Sequence, residues 1–258
     1  MQLKNIFRYF VFFIVLVSYS SVNAQGYKIK TIVIDAGHGG VKPGAKGNFS
    51  WEKDVALKVA LKLGAKLQEE LPSIKIIQTR KTDVDVDWYK RAEIANDAKA
   101  DLFISIHCNS MPAGNSHVRG TETFVGAYRR INEMDAGLKE NEEIIKDKNY
   151  KKKDTFDPTD PEEMILLSLY KSLYRSKSLS LARHIQKNYT EVNKRVNRGV
   201  KEQGLLILQR AAMPSVLTEI GFISNADEEK YINSDEGQEE IITAIVNAVK
   251  QYKKEVEN

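Results

Sequence analysis

The apolar residues of this sequence fall into short β-branched runs and longer segments in which they recur every three or four positions. The short runs predict strands, and the longer segments predict helices. The predicted strands are 29–35, 74–79, 101–107, 120–125, 205–208 and 214–220. The predicted helices are 51–70, 86–99 and 236–254. Strands that alternate with helices predict an α/β three-layer sandwich, with a mostly parallel, twisted sheet of about six strands and helices on both faces.

One long segment, at about 126–177, interrupts this alternation. It is rich in Lys and Glu, contains KNYKKKD and the turn-like DPTDP, and returns to an apolar pattern at 164–173. The pattern predicts a helical insertion, with two helices around a basic loop. A plain solvated loop is the alternative interpretation of its charged middle, residues 148–154.

The first 24 residues resemble a cleavable signal peptide rather than part of the fold. Lys4 and Arg8 form a short basic start, residues 9–17 are apolar or aromatic, and small residues lead to Ala24. An uncleaved anchor is the alternative, but the apolar run is shorter than the roughly 20 residues that span a bilayer. We therefore predict export to the periplasm, or secretion where the envelope lacks an outer membrane. The mature domain, 25–258, is expected to be a monomer without stable membrane insertion.

Charge and cysteine content exclude little and suggest no special partner. Without Lys4 and Arg8, 37 basic residues face 35 acidic ones, a net charge of +2, which gives no reason to expect nucleic acid. Cys108 is the single cysteine, so an internal disulfide cannot form. Its place at the end of an apolar run predicts a small buried side chain.

Candidate chemistry begins with two histidines at the ends of predicted strands, His38 just after 29–35 and His107 as the last residue of 101–107. Groups at the carboxyl ends of parallel strands line one crevice, so both imidazoles are expected to meet there. Glu52 begins the helix after the glycine turn that contains His38. A hydrolytic zinc site has three protein ligands and an open position, which these residues could form. Spacing alone leaves open the alternative that they cap strand ends without a metal.

Five ordered blocks resemble the zinc-dependent N-acetylmuramoyl-L-alanine amidase family, which acts in cell-wall remodelling and daughter-cell separation. The blocks are IVIDAGHGG at 32–40, WEKDVALKVA at 51–60, ADLFISIHCNS at 100–110, GTETFV at 120–125 and PSVLTEIGFISN at 214–225. This resemblance implies that His38, Glu52 and His107 hold one Zn²⁺ and that Glu219 is catalytic. A carboxylate paired with a nearby arginine is the alternative interpretation of Glu219.

The resemblance implies hydrolysis of the amide bond between N-acetylmuramic acid and L-alanine in peptidoglycan. Glu219 would take a proton from the attacking water and pass it to the departing amine nitrogen. A zinc peptidase that cuts within the stem peptide has the same chemistry and is one alternative. A peptidoglycan-binding or activator-type protein without turnover is another, although the retained site residues argue against it.

The insertion resembles the regulatory insertion of the cell-division members at KENEEIIKDKNY, 139–150, and at SKSLSLARHI, 176–185. In those members a glutamate of the insertion occupies the open position of the zinc until an activator displaces it. The resemblance therefore implies that Glu140, or less favourably Glu142 or Glu143, closes the site at rest. It also implies a LytM-type activator protein at the insertion. A substrate-binding or solvated flap is the alternative.

Four further residues within the matched region have structural interpretations. Arg80, Asp83 and Arg91 are expected to brace the loop after the second strand through ion pairs and hydrogen bonds. Asn109 follows a predicted ligand and could orient substrate or satisfy the backbone, and the sequence leaves both open.

Overall fold

A computed structural model describes residues 27–112, 114–127 and 161–258 of the chain. The predicted signal peptide, 1–24, lies outside these residues. So do most of the predicted insertion and the candidate gating residues Glu140, Glu142 and Glu143. Among the helices that are described, none combines the length and the apolar character needed to cross a membrane.

Six strands form a single sheet with the order β2-β1-β3-β6-β4-β5. They are β1 Thr31–Ala36, β2 Lys75–Gln78, β3 Leu102–Asn109, β4 Thr121–Gly126, β5 Asn197–Gln203 and β6 Ser215–Phe222. Strands β2, β1, β3 and β6 run parallel, whereas β4 pairs antiparallel with β6 and parallel with β5. The predicted mostly parallel sheet of six strands is confirmed.

Helices cover both faces of this sheet, because side chains alternate along each strand and leave both faces apolar. The helices are α1 Glu52–Glu70, α2 Trp88–Asp97, α3 Pro161–Glu191, α4 Leu206–Gln209, α5 Ala226–Asn233 and α6 Asp235–Glu257. Helices α1, α3 and α6 bury Ile34, Ile104 and Val216 on one face. Helices α2 and α4 cover Phe103 and Leu217 on the other. Burial of each such side chain stabilises the fold by about 1.5–3 kcal/mol.

The predicted strand at 205–208 is wrong, because Leu206–Gln209 forms the single helical turn α4. A short run of buried apolar residues does not distinguish a strand from a helical turn. The strand lies just before it, at Asn197–Gln203, where the sequence NRGVKEQ has no apolar alternation. This strand is at the sheet edge, and charged residues are common on edge strands because they discourage pairing with other chains.

Helix α3 joins the end of the predicted insertion to the core. It begins at Pro161 and continues without a break through 177, where the insertion was predicted to end, to Glu191. Its second half buries Leu181, Ile185 and Tyr189 against the sheet. Upstream, the guanidinium group of Arg175 donates two hydrogen bonds, of 2.7 and 2.6 Å, to the carboxylate of Glu202 on β5.

A buried carboxylate on α5 fixes the loop that leads into α1. Glu229 is fully buried and accepts hydrogen bonds of 2.8 to 2.9 Å from the backbone amides of Asn48, Phe49 and Ser50. The side chains of Asn48 and Ser50 donate to it as well. Burial by itself raises the pKa of Glu229, but these hydrogen bonds outweigh it and hold the pKa below its ordinary value. The loop just before Glu52 is therefore held by the C-terminal part of the chain.

We expect Glu229→Gln to destabilise the protein by roughly 2 kcal/mol at pH 7, because hydrogen bonds to a charged acceptor are lost. Because the pKa of Glu229 is lower in the folded protein, its charged carboxylate stabilises the fold fully above the unfolded pKa near 4.5. This stabilisation is lost as the pH falls through the lower folded pKa. The stability difference between wild type and variant should therefore shrink below pH 4.5. Urea unfolding at a series of pH values measures it.

Asp227→Asn is the matched control, because that carboxylate lies two positions away on the same helix and is 96% exposed. It should leave the free energy of unfolding within about 0.5 kcal/mol of wild type. A Glu229→Gln protein that is as stable as the Asp227→Asn protein at pH 7 would show that Glu229 does not anchor the loop.

Candidate metal centre and active site

Three side chains that are distant in sequence meet at the carboxyl edge of the parallel strands. His38 follows β1, Glu52 begins α1 and His107 lies near the end of β3. All three are buried, and their candidate ligand atoms lie within 4.8 Å of one another. Glu52 Oε1 is 3.1 Å from His38 Nε2 and 3.0 Å from His107 Nδ1. Tetrahedral zinc with bonds near 2.0–2.1 Å separates its ligand atoms by about 3.3 Å, so this donor set fits a zinc-sized ion.

The carboxylate of Glu52 is held in the ionised form that binds metals. Besides the imidazoles, the backbone amide of Ala45 donates to Oε2 at 2.8 Å and that of Cys108 donates to Oε1 at 3.0 Å. Burial raises the pKa of Glu52, but the two histidines more than offset it and bring the pKa well below its ordinary value. The amino end of α1 adds a favourable field for a negative charge.

The glycines of the turn after β1 leave room for the side chains of the candidate metal centre. A Cβ on Gly37 would lie 2.4 Å from the ring of His107. A Cβ on Gly44, whose φ is +69°, would lie 2.7 Å from both Glu52 Oε2 and the ring of His38. His38 itself has a φ of 56°, which is uncommon for a residue other than glycine. Glycine is required here by close packing around the ligands.

Two buried arginines hold the backbone that carries His38. Arg80 donates to the carbonyls of Ala36, at 3.0 Å, and Gly37, at 2.8 Å. Arg91 donates to the carbonyl of His38 at 2.6 Å and to Asp35 Oδ1 at 2.8 Å. The predicted bracing role of these arginines is confirmed, but the main loop they brace follows the first strand.

Asp83 completes this bracing from the exposed side. Its carboxylate accepts from the backbone amide of Gly40 at 2.7 Å and from Lys53 Nζ at 2.6 Å. These hydrogen bonds lower the pKa of Asp83 below its ordinary value. The loop after the second strand and the turn after the first are therefore tied together around the site.

Strands β6 and β4, which follow β3 in the sheet, each add a carboxylate to the row that begins at His107. Glu219 on β6 pairs in register with His107, and Glu122 on β4 pairs in register with Glu219. Both residues are buried, and each exposes 3% of its surface to solvent. The Asn109 side chain donates to Glu122 Oε1, and Lys201 Nζ contacts Glu122 Oε2.

Asn109 also accepts a hydrogen bond of 2.7 Å from the backbone amide of Ser110, so the structure shows the predicted backbone role together with a contact to a buried carboxylate. The sequence analysis missed Glu122, although a charged residue in the middle of a strand pattern was a usable signal.

A small pocket of about 60 Å³ opens beside the two imidazoles. Apolar side chains form its far wall, namely Val86, Trp88, Ile207 and Leu217. The site therefore combines a buried polar centre with an adjoining apolar surface, which is typical of sites that bind small organic groups.

The sequence profile of the N-acetylmuramoyl-L-alanine amidase family matches residues 32–251, which include His38, Glu52, His107 and Glu219. The chain belongs to this family. The predicted resemblance and enzyme class are confirmed, and the chain is a peptidoglycan amidase.

Relatives in sequence and in structure agree with this assignment. N-acetylmuramoyl-L-alanine amidase AmiA of Escherichia coli is 32% identical over 224 residues, which are 86% of this chain and 76% of AmiA. The catalytic domain of the amidase CwlV from Bacillus (Paenibacillus) polymyxa is 26% identical with a TM-score of 0.65, covering 88% of this chain and 99% of that domain. CwlD of Clostridioides difficile, in complex with the GerS lipoprotein, is 26% identical with a TM-score of 0.63, covering 86% and 98%.

We expect Gly37→Ala to weaken metal binding by the candidate His38–Glu52–His107 centre, measured with Zn²⁺, by about 10- to 100-fold, the range typical of disturbed metal surroundings. The new methyl group would displace the His107 ring, while the backbone of Gly37 is one that alanine can adopt. Competition against a chromophoric chelator measures the affinity.

Gly126→Ala is the matched control, because its Cβ would lie 3.5 Å from Leu208 in ordinary contact. It should bind Zn²⁺ as tightly as wild type. Equal affinities for all three proteins would show that the close contact at Gly37 does not position His107.

Proposed function

We propose that this amidase is zinc-dependent and hydrolyses the bond between N-acetylmuramic acid and L-alanine during cell-wall remodelling and daughter-cell separation. One observation carries the proposal, namely a buried His38–Glu52–His107 group whose third member lies in register with the carboxylate of Glu219. Membership of the amidase family supports the reaction class.

The donor set favours zinc among the common metals. Two neutral imidazoles and one carboxylate suit a borderline ion that accepts four ligands, and they leave a position for water or substrate. Bound zinc would polarise the amide carbonyl and promote ionisation of water near neutral pH.

Glu219 is the residue to which we assign proton transfer. It lies one strand from His107, at a spacing of about 4.8 Å between strands. Its carboxylate takes the proton from water as the water oxygen bonds to the carbonyl carbon. It then delivers this proton to the amine nitrogen as the carbon–nitrogen bond breaks, so that L-alanine leaves with a neutral amine. Burial in the cleft limits competing exchange with bulk water.

We place the enzyme outside the cytoplasm, where peptidoglycan lies. The basic and apolar pattern of residues 1–24 supports a signal peptide, and residues 25–258 then form the mature catalytic domain as a monomer. The envelope type decides between the periplasm and secretion.

The insertion at about 126–177 is the proposed gate, with Glu140 on the metal at rest and a LytM-type activator as the displacing partner. The motif resemblance at 139–150 supports this proposal, as does the attachment of the insertion to the core through α3. The complex between CwlD and the GerS lipoprotein is an example of a similar amidase with a protein partner.

The reaction is tested by mass analysis of the products that the full-length mature protein releases from purified sacculi. Wild type should release intact stem peptides that begin with L-alanine. Glu219→Gln should lose at least about 100-fold in kcat, because the proton acceptor is removed, while it keeps the same zinc content.

Glu191→Gln is the control, since that carboxylate is 65% exposed on α3, and its activity should equal that of wild type. Products shortened at a peptide–peptide bond would identify a peptidase instead. Wild-type activity in Glu219→Gln would remove Glu219 from the mechanism.

The gate is tested with Glu140→Ala in the absence of any activator. Removal of the blocking carboxylate should raise hydrolysis of sacculi severalfold, and deletion of 130–175 should do the same. Glu142→Ala and Glu143→Ala are the matched controls. Equal or lower activity in folded Glu140→Ala and in the folded deletion variant contradicts gating by Glu140.

A further inference from the structure

The edge strand β5 presents two cations to the buried carboxylate of Glu122. Lys201 Nζ contacts Glu122 Oε2, and Arg198 Nε lies 3.6 Å from the same oxygen. The other oxygen, Oε1, accepts from Asn109. Among Glu122, Arg198 and Lys201, one negative charge therefore faces two positive charges.

The hydrogen-bond donors of this group outnumber the acceptors that Glu122 offers. An ammonium group carries three N–H donors and a guanidinium group carries five, whereas a carboxylate has about four lone-pair positions and Asn109 uses one of them. Both cations also reach solvent, with 35% of the Arg198 side chain and 39% of the Lys201 side chain exposed. They can therefore accept a second anion without leaving Glu122.

Aromatic rings on the neighbouring strands help to fix the position of these cations. Arg198 Cζ lies 5.0 Å from the ring centroid of Phe222, and Lys201 Nζ lies 5.8 Å from that of Phe124. Cation–π attraction of this kind orients a charged head group that is only partly buried. Both rings are themselves buried, so they are fixed supports.

The cations lie on the side of Glu219 that faces away from the metal ligands. Because β3, β6 and β4 are neighbours and the three residues pair in register, His107, Glu219 and Glu122 form one row across the sheet. Adjacent strands are about 4.8 Å apart, so Glu122 is about 5 Å beyond Glu219 and about 10 Å beyond His107.

We propose that Arg198 and Lys201 form a subsite for a carboxylate on the peptide arm of the substrate. The proposal rests on the amidase function, because it places the scissile bond at the metal and Glu219. A peptide chain advances at most about 3.3–3.6 Å per residue. A carboxylate on the residue after L-alanine then lies about 7 Å from the scissile nitrogen, within reach of both cations. The subsite therefore selects acidic over amidated stem peptides.

The test compares two muramyl dipeptides in which the γ-carboxyl of the second residue is capped as a methylamide. They differ only at the α-carboxyl of that residue, which is either free or amidated. Full-length mature protein should cleave the acidic substrate with a kcat/KM about tenfold higher, the scale of one charge-assisted hydrogen bond, and the difference should lie in KM. In Arg198→Gln and Lys201→Gln this preference should fall to about twofold or less.

Conservative and distant variants separate binding from folding. Arg198→Lys keeps the charge and should keep most of the preference, whereas Lys187→Gln, 60% exposed on α3, should keep all of it. Higher ionic strength should reduce the preference of wild type, because both cations are partly exposed. Equal kcat/KM for the two dipeptides in wild type, or a full preference in both glutamine variants, would overturn the subsite.

Binding to Glu219→Gln, measured by calorimetry, distinguishes failure of the subsite from failure of the amidase function. If neither wild type nor Glu140→Ala cleaves either dipeptide, the assigned reaction is wrong, and the subsite is judged by binding alone. The subsite is supported if Glu219→Gln binds the acidic dipeptide about tenfold more tightly than the amidated one, and if this difference is lost in Glu219→Gln combined with Arg198→Gln. Equal binding of the two dipeptides, or binding of neither, overturns it.

Discussion

The carboxylate of Glu52, buried between two imidazoles, is the constraint on which the rest of the structure depends. A buried charge must be paired and hydrogen-bonded, because the cost of removing it from water is otherwise several kcal/mol. Here one oxygen is shared by His38 and His107, and backbone amides satisfy the remainder. The glycines beside the ligands, the arginines behind His38 and the anchor at Glu229 all keep this arrangement in place.

The sheet places further charged side chains in order on one side of this centre. Parallel strands end at one edge, so β3 supplies a candidate metal ligand and β6 supplies the neighbouring carboxylate. The antiparallel strand β4 then adds Glu122 to the same row. The proposed roles therefore follow the strand order. Strand β3 is assigned to metal binding and β6 to proton transfer, while β4 and the cations of β5 are assigned to recognition of the peptide.

The sequence predicted those strands whose burial requires a continuous run of apolar residues. Strands β1, β3 and β6 were predicted because they are apolar on both faces, and the ends of β1 and β3 located the two histidines of the candidate metal centre. Strand β5 was missed because it is an edge strand with polar residues, and the turn at Leu206–Gln209 was mistaken for a strand because its residues are uniformly apolar. Glu229 contacts a loop about 180 positions away, and contacts of that range have no periodic signature. The resemblance to known motifs, rather than spacing, made the zinc prediction specific.

Anomalous X-ray diffraction from crystals of the zinc-loaded protein, recorded on both sides of the zinc absorption edge, tests whether His38, Glu52 and His107 hold the metal. We predict one strong peak about 2.0–2.2 Å from an imidazole nitrogen of His38, an imidazole nitrogen of His107 and a carboxylate oxygen of Glu52. A zinc peak at another site, with the two imidazoles still hydrogen-bonded to Glu52, would contradict it.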